Sequence, residues 1–136
     1  MTTQFNITLP AYPRGFHIIT SEIVNGLGQL PQQGLLHVFI KHTSAGLSIN
    51  ENADPSVRVD FETVFNKLSP EHDPDLTHTM EGSDDMPAHI KASLVGSSIT
   101  IPINHGRLML GTWQGIYLCE FRNHPHSRVV IASIYA

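Results

Sequence analysis

The sequence predicts a mainly β, α+β domain: a sandwich-like antiparallel or mixed sheet carrying about three helices. Apolar residues recur at every second position, or in short runs, through much of the chain, which is the period of a strand. Only three segments carry helix-start signals or helical spacing. At 136 residues, 40% apolar and 15% charged, the chain has the size and composition of one domain that buries about two thirds of its unfolded surface. We read residues 1–136 as that single domain, without repeats or linkers.

Phe5, Ile7 and Leu9 alternate in the first predicted strand. Thr20-Ser21 caps a short helix running toward Gly26 or Gly28. In the strand from Leu35 to Lys41, Leu36, Val38 and Ile40 share one face; period-two geometry places His42 on that inward side and His37 on the other. Gly46 to Asn50 offers Leu47 and Ile49. Asp54-Pro55-Ser56 starts the second helix, with Asp as N-cap and Pro at the first helical position. Behind it, Val57, Phe61, Val64, Phe65 and Leu68 form an apolar stripe. A long acidic loop follows from Ser69 to Asp85, and loops of that length are usually functional or mobile. Asp84 or Asp85 starts the third helix, with Pro87 in its first turn and Gly96 as its stop. Ser98 to Asn104, Leu108-Met109-Leu110, Ile116 to Arg122 and Arg128 to Tyr135 complete a strand-rich C-terminal half.

A formal charge of −4 and the lack of any basic run leave no electrostatic footprint for nucleic acid. Cys119, the single cysteine, excludes an intrachain disulfide and fits a reducing compartment. It alternates with Tyr117 and Phe121, as a small buried thiol would. The segment Met1 to Asn6 lacks the features of a signal peptide, and no apolar stretch approaches the roughly 20 residues that cross a bilayer. We therefore expect a soluble, cytoplasmic protein with no membrane or nucleic-acid partner. No P-loop, dinucleotide glycine fingerprint or Gly-x-Ser-x-Gly elbow is present.

Nine histidines make a histidine–metal site the leading chemical hypothesis. His42 ends an apolar strand and opens His42-Thr43-Ser44-Ala45-Gly46, whose two hydroxyls and glycine suit oxyanion binding. It is either a ligand or general base, or a core histidine bonded to a backbone carbonyl. His89 lies at a helix start, where the dipole disfavours imidazolium and favours the neutral, ligating ring. Glu81, Asp84 and Asp85 stand near enough in sequence to orient it or to handle protons. His78 sits in the acidic loop. The alternative for both His89 and His78 is simple exposure, and the 42–78–89 spacing matches no compact zinc motif. His72, His105, His124 and His126 lie in turn-rich, exposed contexts. Gly111-Thr112-Trp113-Gln114 is either a corner where Trp113 seals the core or a turn from which Gln114 reaches a ligand. Arg58 and Arg122 are candidate anion clamps.

Several segments together resemble the YjbQ family, also called the secondary thiamine-phosphate synthase family. They are His42-Thr43-Ser44-Ala45-Gly46, Ser48-Ile49-Asn50-Glu51-Asn52-Ala53-Asp54-Pro55, Ala88-His89-Ile90-Lys91-Ala92-Ser93-Leu94 with Gly96, and the run from Ser98 through Ile101 and Ile103 to Gly106. Gly111-Thr112-Trp113-Gln114-Gly115-Ile116 completes the pattern, so the resemblance runs from about residue 5 to the C-terminus. It implies a mainly β domain assembling as a homotrimer, with a metal-associated histidine site near subunit boundaries. The implied ligands are His42, His78 and His89, although Met86-Pro87 departs from the family's usual approach to the Ala-His pair. The implied activity is thiamine-phosphate synthesis, joining a pyrimidine diphosphate to a thiazole phosphate with loss of pyrophosphate. Thr43, Ser44, Arg58, Lys91 and Arg122 would then bind the anionic groups of a small phosphorylated substrate. Three histidines suit zinc, whereas a diphosphate substrate suits magnesium. Metal-dependent phosphoester hydrolysis and a non-catalytic metal- or anion-binding trimer remain the alternatives.

Overall fold

The computed structural model describes all residues from 1 to 136. In chain order it contains β1 (Thr2–Tyr12), β2 (Gly15–Ile18), α1 (Thr20–Leu27), β3 (Gln33–Ile40) and β4 (Ala45–Glu51). There follow α2 (Pro55–Leu68), α3 (Asp85–Val95), β5 (Ser98–Asn104), β6 (Arg107–Leu108), β7 (Gln114–Glu120) and β8 (His126–Tyr135). The strands make a five-stranded sheet, β1-β8-β3-β5-β6, and a three-stranded sheet, β2-β7-β4. Every ladder is antiparallel. The mainly β, α+β class read from the sequence is the observed one, in its antiparallel form.

Two clusters hold the layers together. Between the sheets, Leu36, Val38 and Ile40 of β3 meet Ile101 and Ile103 of β5, Val130 and Ala132 of β8, and Leu47, Ile116 and Leu118 of the smaller sheet. Each large aliphatic side chain buried there contributes about 1.5–3 kcal/mol relative to exposure. α1 closes one end of this core with Ile23 and Leu27. On the far face of the small sheet, Phe16, Tyr117, Cys119 and Phe121 pack with Ala88, Phe61 and Phe65 from the helices. β7 is thus covered on both faces, and from Gly115 onward its residues are all buried.

Local chemistry explains most element boundaries. Asp54 caps α2, its Oδ1 accepting the Ser56 amide at 2.9 Å, with Pro55 at the first helical position. Thr20, in contrast, does not cap α1: it is the first helical residue, and its hydroxyl accepts the Ile116 amide of β7 at 2.9 Å. The α2 stripe is only half used. Phe61 and Phe65 reach the aromatic cluster, while Val64 and Leu68 stay 51% and 63% exposed. The helix lies over β2 at the edge of a narrow sheet, which offers surface to one line of its side chains. β2 itself carries too short a pattern to be read as a strand, and the predicted 108–110 strand contracts to Arg107–Leu108. Gly46 lets β4 run against the end of α3, because a Cβ there would stand 2.8 Å from the Gly96 carbonyl oxygen. No helix is long and apolar enough to cross a membrane.

Candidate metal centre

The start of α3 brings three ligand types together. Asp85 opens the helix, and His89 follows it by four residues, so both side chains fall on one helical face. The acidic loop then folds back to deliver His78. His78 Nε2 lies 2.7 Å from Asp85 Oδ2, and His89 Nε2 lies 3.1 Å from the same oxygen. The three ligand atoms all fall within 4.8 Å of one another.

Asp85 is 1% exposed and fixed on its other side. Its Oδ1 accepts Arg122 Nη1 at 2.7 Å, while Arg122 Nε donates to Asp84 Oδ2 at 2.8 Å and Nη2 to the Glu81 carbonyl at 3.1 Å. Burial pushes the Asp85 carboxyl up, but the His78 hydrogen bond and the charges of His89 and Arg122 prevail and hold it below the ordinary carboxylate range. Burial acts the same way on Asp84, and there the Asn123 amide and the Arg122 guanidinium prevail. Asp84 therefore serves this arginine and does not cap α3.

The hydrogen bonds also assign the His89 tautomer. Its Nδ1 lies 2.9 Å from the Thr43 carbonyl oxygen, which can only accept. Nδ1 therefore carries a proton, and Nε2 faces Asp85 Oδ2. Two acceptors at 3.1 Å repel unless a proton or a metal cation lies between them. A histidine whose remote nitrogen donates to a backbone carbonyl is also the usual arrangement of a metal ligand. On donor chemistry, the residues present fit a divalent ion.

His42 is outside this group. Its Nε2 accepts the Val129 amide hydrogen at 2.8 Å, which leaves the proton on Nδ1. Burial, and then the charge of Arg128, lower its pKa. The ring instead lines a cavity of about 620 Å3 together with Thr43, His89, Ser93, Gly96 and Ser97. A second cavity of about 340 Å3 is lined by His72, Asp73, His78, Thr79, Ser83 and Met86, among others. One histidine of the triad thus lines each hollow.

The remaining predicted site residues separate widely. Thr43 is exposed at the first cavity, but Ser44 is buried and its Oγ accepts Arg128 Nη2 at 3.0 Å. Lys91 is 1% exposed and donates to Asn66 Oδ1 at 2.8 Å; burial lowers its pKa. Arg58 lines a separate groove beside Arg14 and Glu62. With Arg122 held by two aspartates, none of the three predicted anion-binding cations lines the 620 Å3 cavity. Glu81 stands at the rim, 66% exposed, its Oε2 3.9 Å from His78 Nε2. Gln114 lies at the opposite end of β7, where its Oε1 accepts the Gly111 amide at 2.8 Å and closes the turn. Trp113 points outward from that turn, 64% exposed, so the ring does not seal the core.

One pair went unread in the sequence. Glu120 and Arg128 continue the inward faces of β7 and β8, and are 0% and 4% exposed. Arg128 Nε and Nη2 meet the two Glu120 oxygens at 2.6 and 2.5 Å, and the same guanidinium holds Ser44. The signal was period two itself, since Ile116, Leu118 and Glu120 are in phase, as are Arg128, Val130 and Ala132.

Relatives share this chain at nearly full length. A family profile described as "UPF0047 protein YjbQ-like" matches residues 5–136. The "UPF0047 protein YjbQ" of Escherichia coli O157:H7 is 48% identical over 136 residues, covering 98% of both chains. Its Salmonella typhimurium counterpart is 51% identical with the same coverage. Among solved structures, a conserved hypothetical protein from Thermus thermophilus superposes with a TM-score of 0.81 at 34% identity, covering 93% of this chain and 96% of the other. A Sulfolobus solfataricus protein of unknown function gives 0.85 at 21% identity, covering 98% and 96%, which speaks for the fold alone. The match along almost the whole chain, at about half identity, places this protein in the YjbQ/UPF0047 family.

Proposed function

We propose that this protein is a metal-dependent enzyme acting on a small phosphorylated metabolite, with the ion held by His78, Asp85 and His89. Asp85 takes the place that the family resemblance gives to His42. The observation that carries this reading is the convergence of His78 Nε2 and His89 Nε2, at 2.7 and 3.1 Å, on one oxygen of the buried Asp85 carboxylate, with the far nitrogen of His89 held by the Thr43 carbonyl. Two imidazoles and one carboxylate suit zinc better than magnesium, and three ligands leave a position open, as catalytic sites do.

A divalent ion held by His78, Asp85 and His89 would supply Lewis acidity for a phosphoryl oxygen and for an attacking water. The chain's own groups do the rest. Arg122 fixes Asp85 and offsets its charge, and the Thr43 carbonyl fixes the His89 ring. Thr43, Ser93 and Ser97 offer hydroxyls along the cavity wall. Glu81, exposed at the rim beside His78, is the group placed to take a proton from an incoming water.

Within this class the geometry favours phosphoester hydrolysis over thiamine-phosphate-type transfer. A carbocation-like pyrimidine needs water kept out, whereas this cavity is wide, hydroxyl-bearing and without Phe, Tyr or Trp among its lining residues. The transfer reading stays the named competitor through the family resemblance. Zinc-loaded protein given a panel of phosphate monoesters should release inorganic phosphate. Pyrophosphate release from a pyrimidine diphosphate with a thiazole phosphate, and no monoester turnover, would reverse the preference.

We also propose a homotrimer. The outer face of the five-stranded sheet has no helix packed on it, and it leaves Leu35, Phe39 and Tyr135 at 45%, 42% and 47% exposure, with Leu35 and Tyr135 directly paired. Such patches are typical of association surfaces. Light scattering on the eluting protein tests this, and a monomer at micromolar concentration would refute it.

A further inference from the structure

Resting on the metal-centre reading, we propose that the cavity beside His89 recognises the hydroxylated body of the substrate, making the preferred ligand a polyol or sugar phosphate. The cavity's inventory is the reason. Of its eight lining residues none is acidic, none is Lys or Arg, and none is Phe, Tyr or Trp. A second anionic group would find no cation there, and a planar ring would find no large aromatic face to stack on.

What the wall does offer is a set of neutral hydrogen-bonding groups. The hydroxyls of Thr43, Ser93 and Ser97 can each donate or accept. His42 adds a donor of fixed identity, because the Val129 amide occupies Nε2 and leaves the proton on Nδ1, which has no partner in the protein. Three backbone carbonyls of the lining are already engaged: Thr43 by His89, Gly96 by the Leu47 amide and Ser97 by the Ile40 amide. Mixed donor–acceptor side chains with one fixed donor match a row of hydroxyl groups.

The direction of α3 sets the orientation of that ligand. The cavity runs from His89 past Ser93, one helical turn or ~6 Å further along, to Gly96 and Ser97 beyond the last turn. Helix C-termini carry a partial negative charge that disfavours anions. The phosphate therefore belongs at the His89 end, next to the metal centre, and the uncharged body lies toward Ser93 and Ser97.

The test uses zinc-loaded full-length protein, as wild type with inorganic phosphate and as Glu81→Gln, which keeps the three ligands but lacks the group proposed to take the proton, with glycerol 1-phosphate and phenyl phosphate, titrated by calorimetry with zinc and released phosphate measured on the same samples. We expect zinc to be retained, phosphate to bind, and glycerol 1-phosphate to bind about 10-fold or more tighter than phenyl phosphate, as one or two neutral hydrogen bonds allow. His42→Gln can keep an acceptor for the Val129 amide while removing the donor from the Nδ1 position, its own NH2 lying further along the side chain, and Ser93→Ala removes one hydroxyl. Each should cut the preference about 3- to 10-fold at constant zinc content. Equal or tighter binding of phenyl phosphate, or a preference untouched by both variants, would overturn the proposal while leaving the metal centre standing. Absence of both zinc and phosphate binding in the wild type would overturn the metal-centre reading itself, and this inference with it.

Discussion

Replacing Glu120 by alanine should strongly destabilise the scaffold that carries the site. Glu120 and Arg128 are both buried and form a two-point ion pair at 2.6 and 2.5 Å between the sheets. Without Glu120, Arg128 keeps only Ser44, through Oγ at 3.0 Å and the carbonyl at 3.4 Å, and its charge stays buried without a counterion. Breaking such a pair costs about 3–5 kcal/mol. For a domain of this length each kcal/mol corresponds to about 3–5 °C in Tm, so the melting point should fall by about 9–25 °C. The cost comes from the orphaned charge, so the double variant Glu120→Leu with Arg128→Met should recover most of it. Scanning calorimetry on wild type, Glu120→Leu, Arg128→Met and the double variant forms the cycle, with Glu120→Ala measured beside it. A drop below about 3 °C for Glu120→Ala, or a double variant no better than the worse single one, would refute the reasoning.

Other expectations follow from burial and protonation. Trp113→Ala should shift Tm by no more than about 2–3 °C, because the ring is mostly exposed and surface changes lie within about 0.5 kcal/mol; a loss of about 10 °C would show the ring buried in the folded protein or its assembly and refute this. Cys119 is fully buried and its thiol pKa is pushed far up by desolvation, so Ellman's reagent at pH 8 should label native protein only as fast as it unfolds. His42 has a folded pKa below 6.5, so the unfolded chain binds more protons between the two values. Its contribution to stability is complete above pH 6.5 and is lost as pH falls toward the folded pKa. Melting curves of wild type and His42→Gln should therefore converge between pH 7 and pH 5; parallel curves would remove His42 from the acid response.

The strand pattern was legible because alternation and burial coincide in β1, β3 and β5, where one face meets the core and the other does not. β2 was missed since four residues cannot display a period, and α2 was overestimated because a stripe states which residues can be buried, not whether a surface exists to bury them. At the site, His78 and His89 could be named from residue type and the resemblance, but only the folding back of the Ser69–Asp84 loop joins them to Asp85. Lys91 and Arg122 show the same limit. A cation in sequence has no visible partner, and here Asn66, Asp84 and Asp85 supply the partners from elements distant along the chain. Glu120 and Arg128 were legible in principle, as charges in phase with a buried face, and such charges call for each other.

The ligand set is the central claim, and one measurement addresses it directly: zinc per chain by plasma mass spectrometry, after loading and exhaustive dialysis, in wild type, His42→Gln, Asp85→Asn and His89→Ala. The geometry predicts one zinc per chain in wild type and in His42→Gln, and its loss in Asp85→Asn and His89→Ala. Zinc retained by Asp85→Asn but lost from His42→Gln would contradict the centre described here and restore His42 as the third ligand.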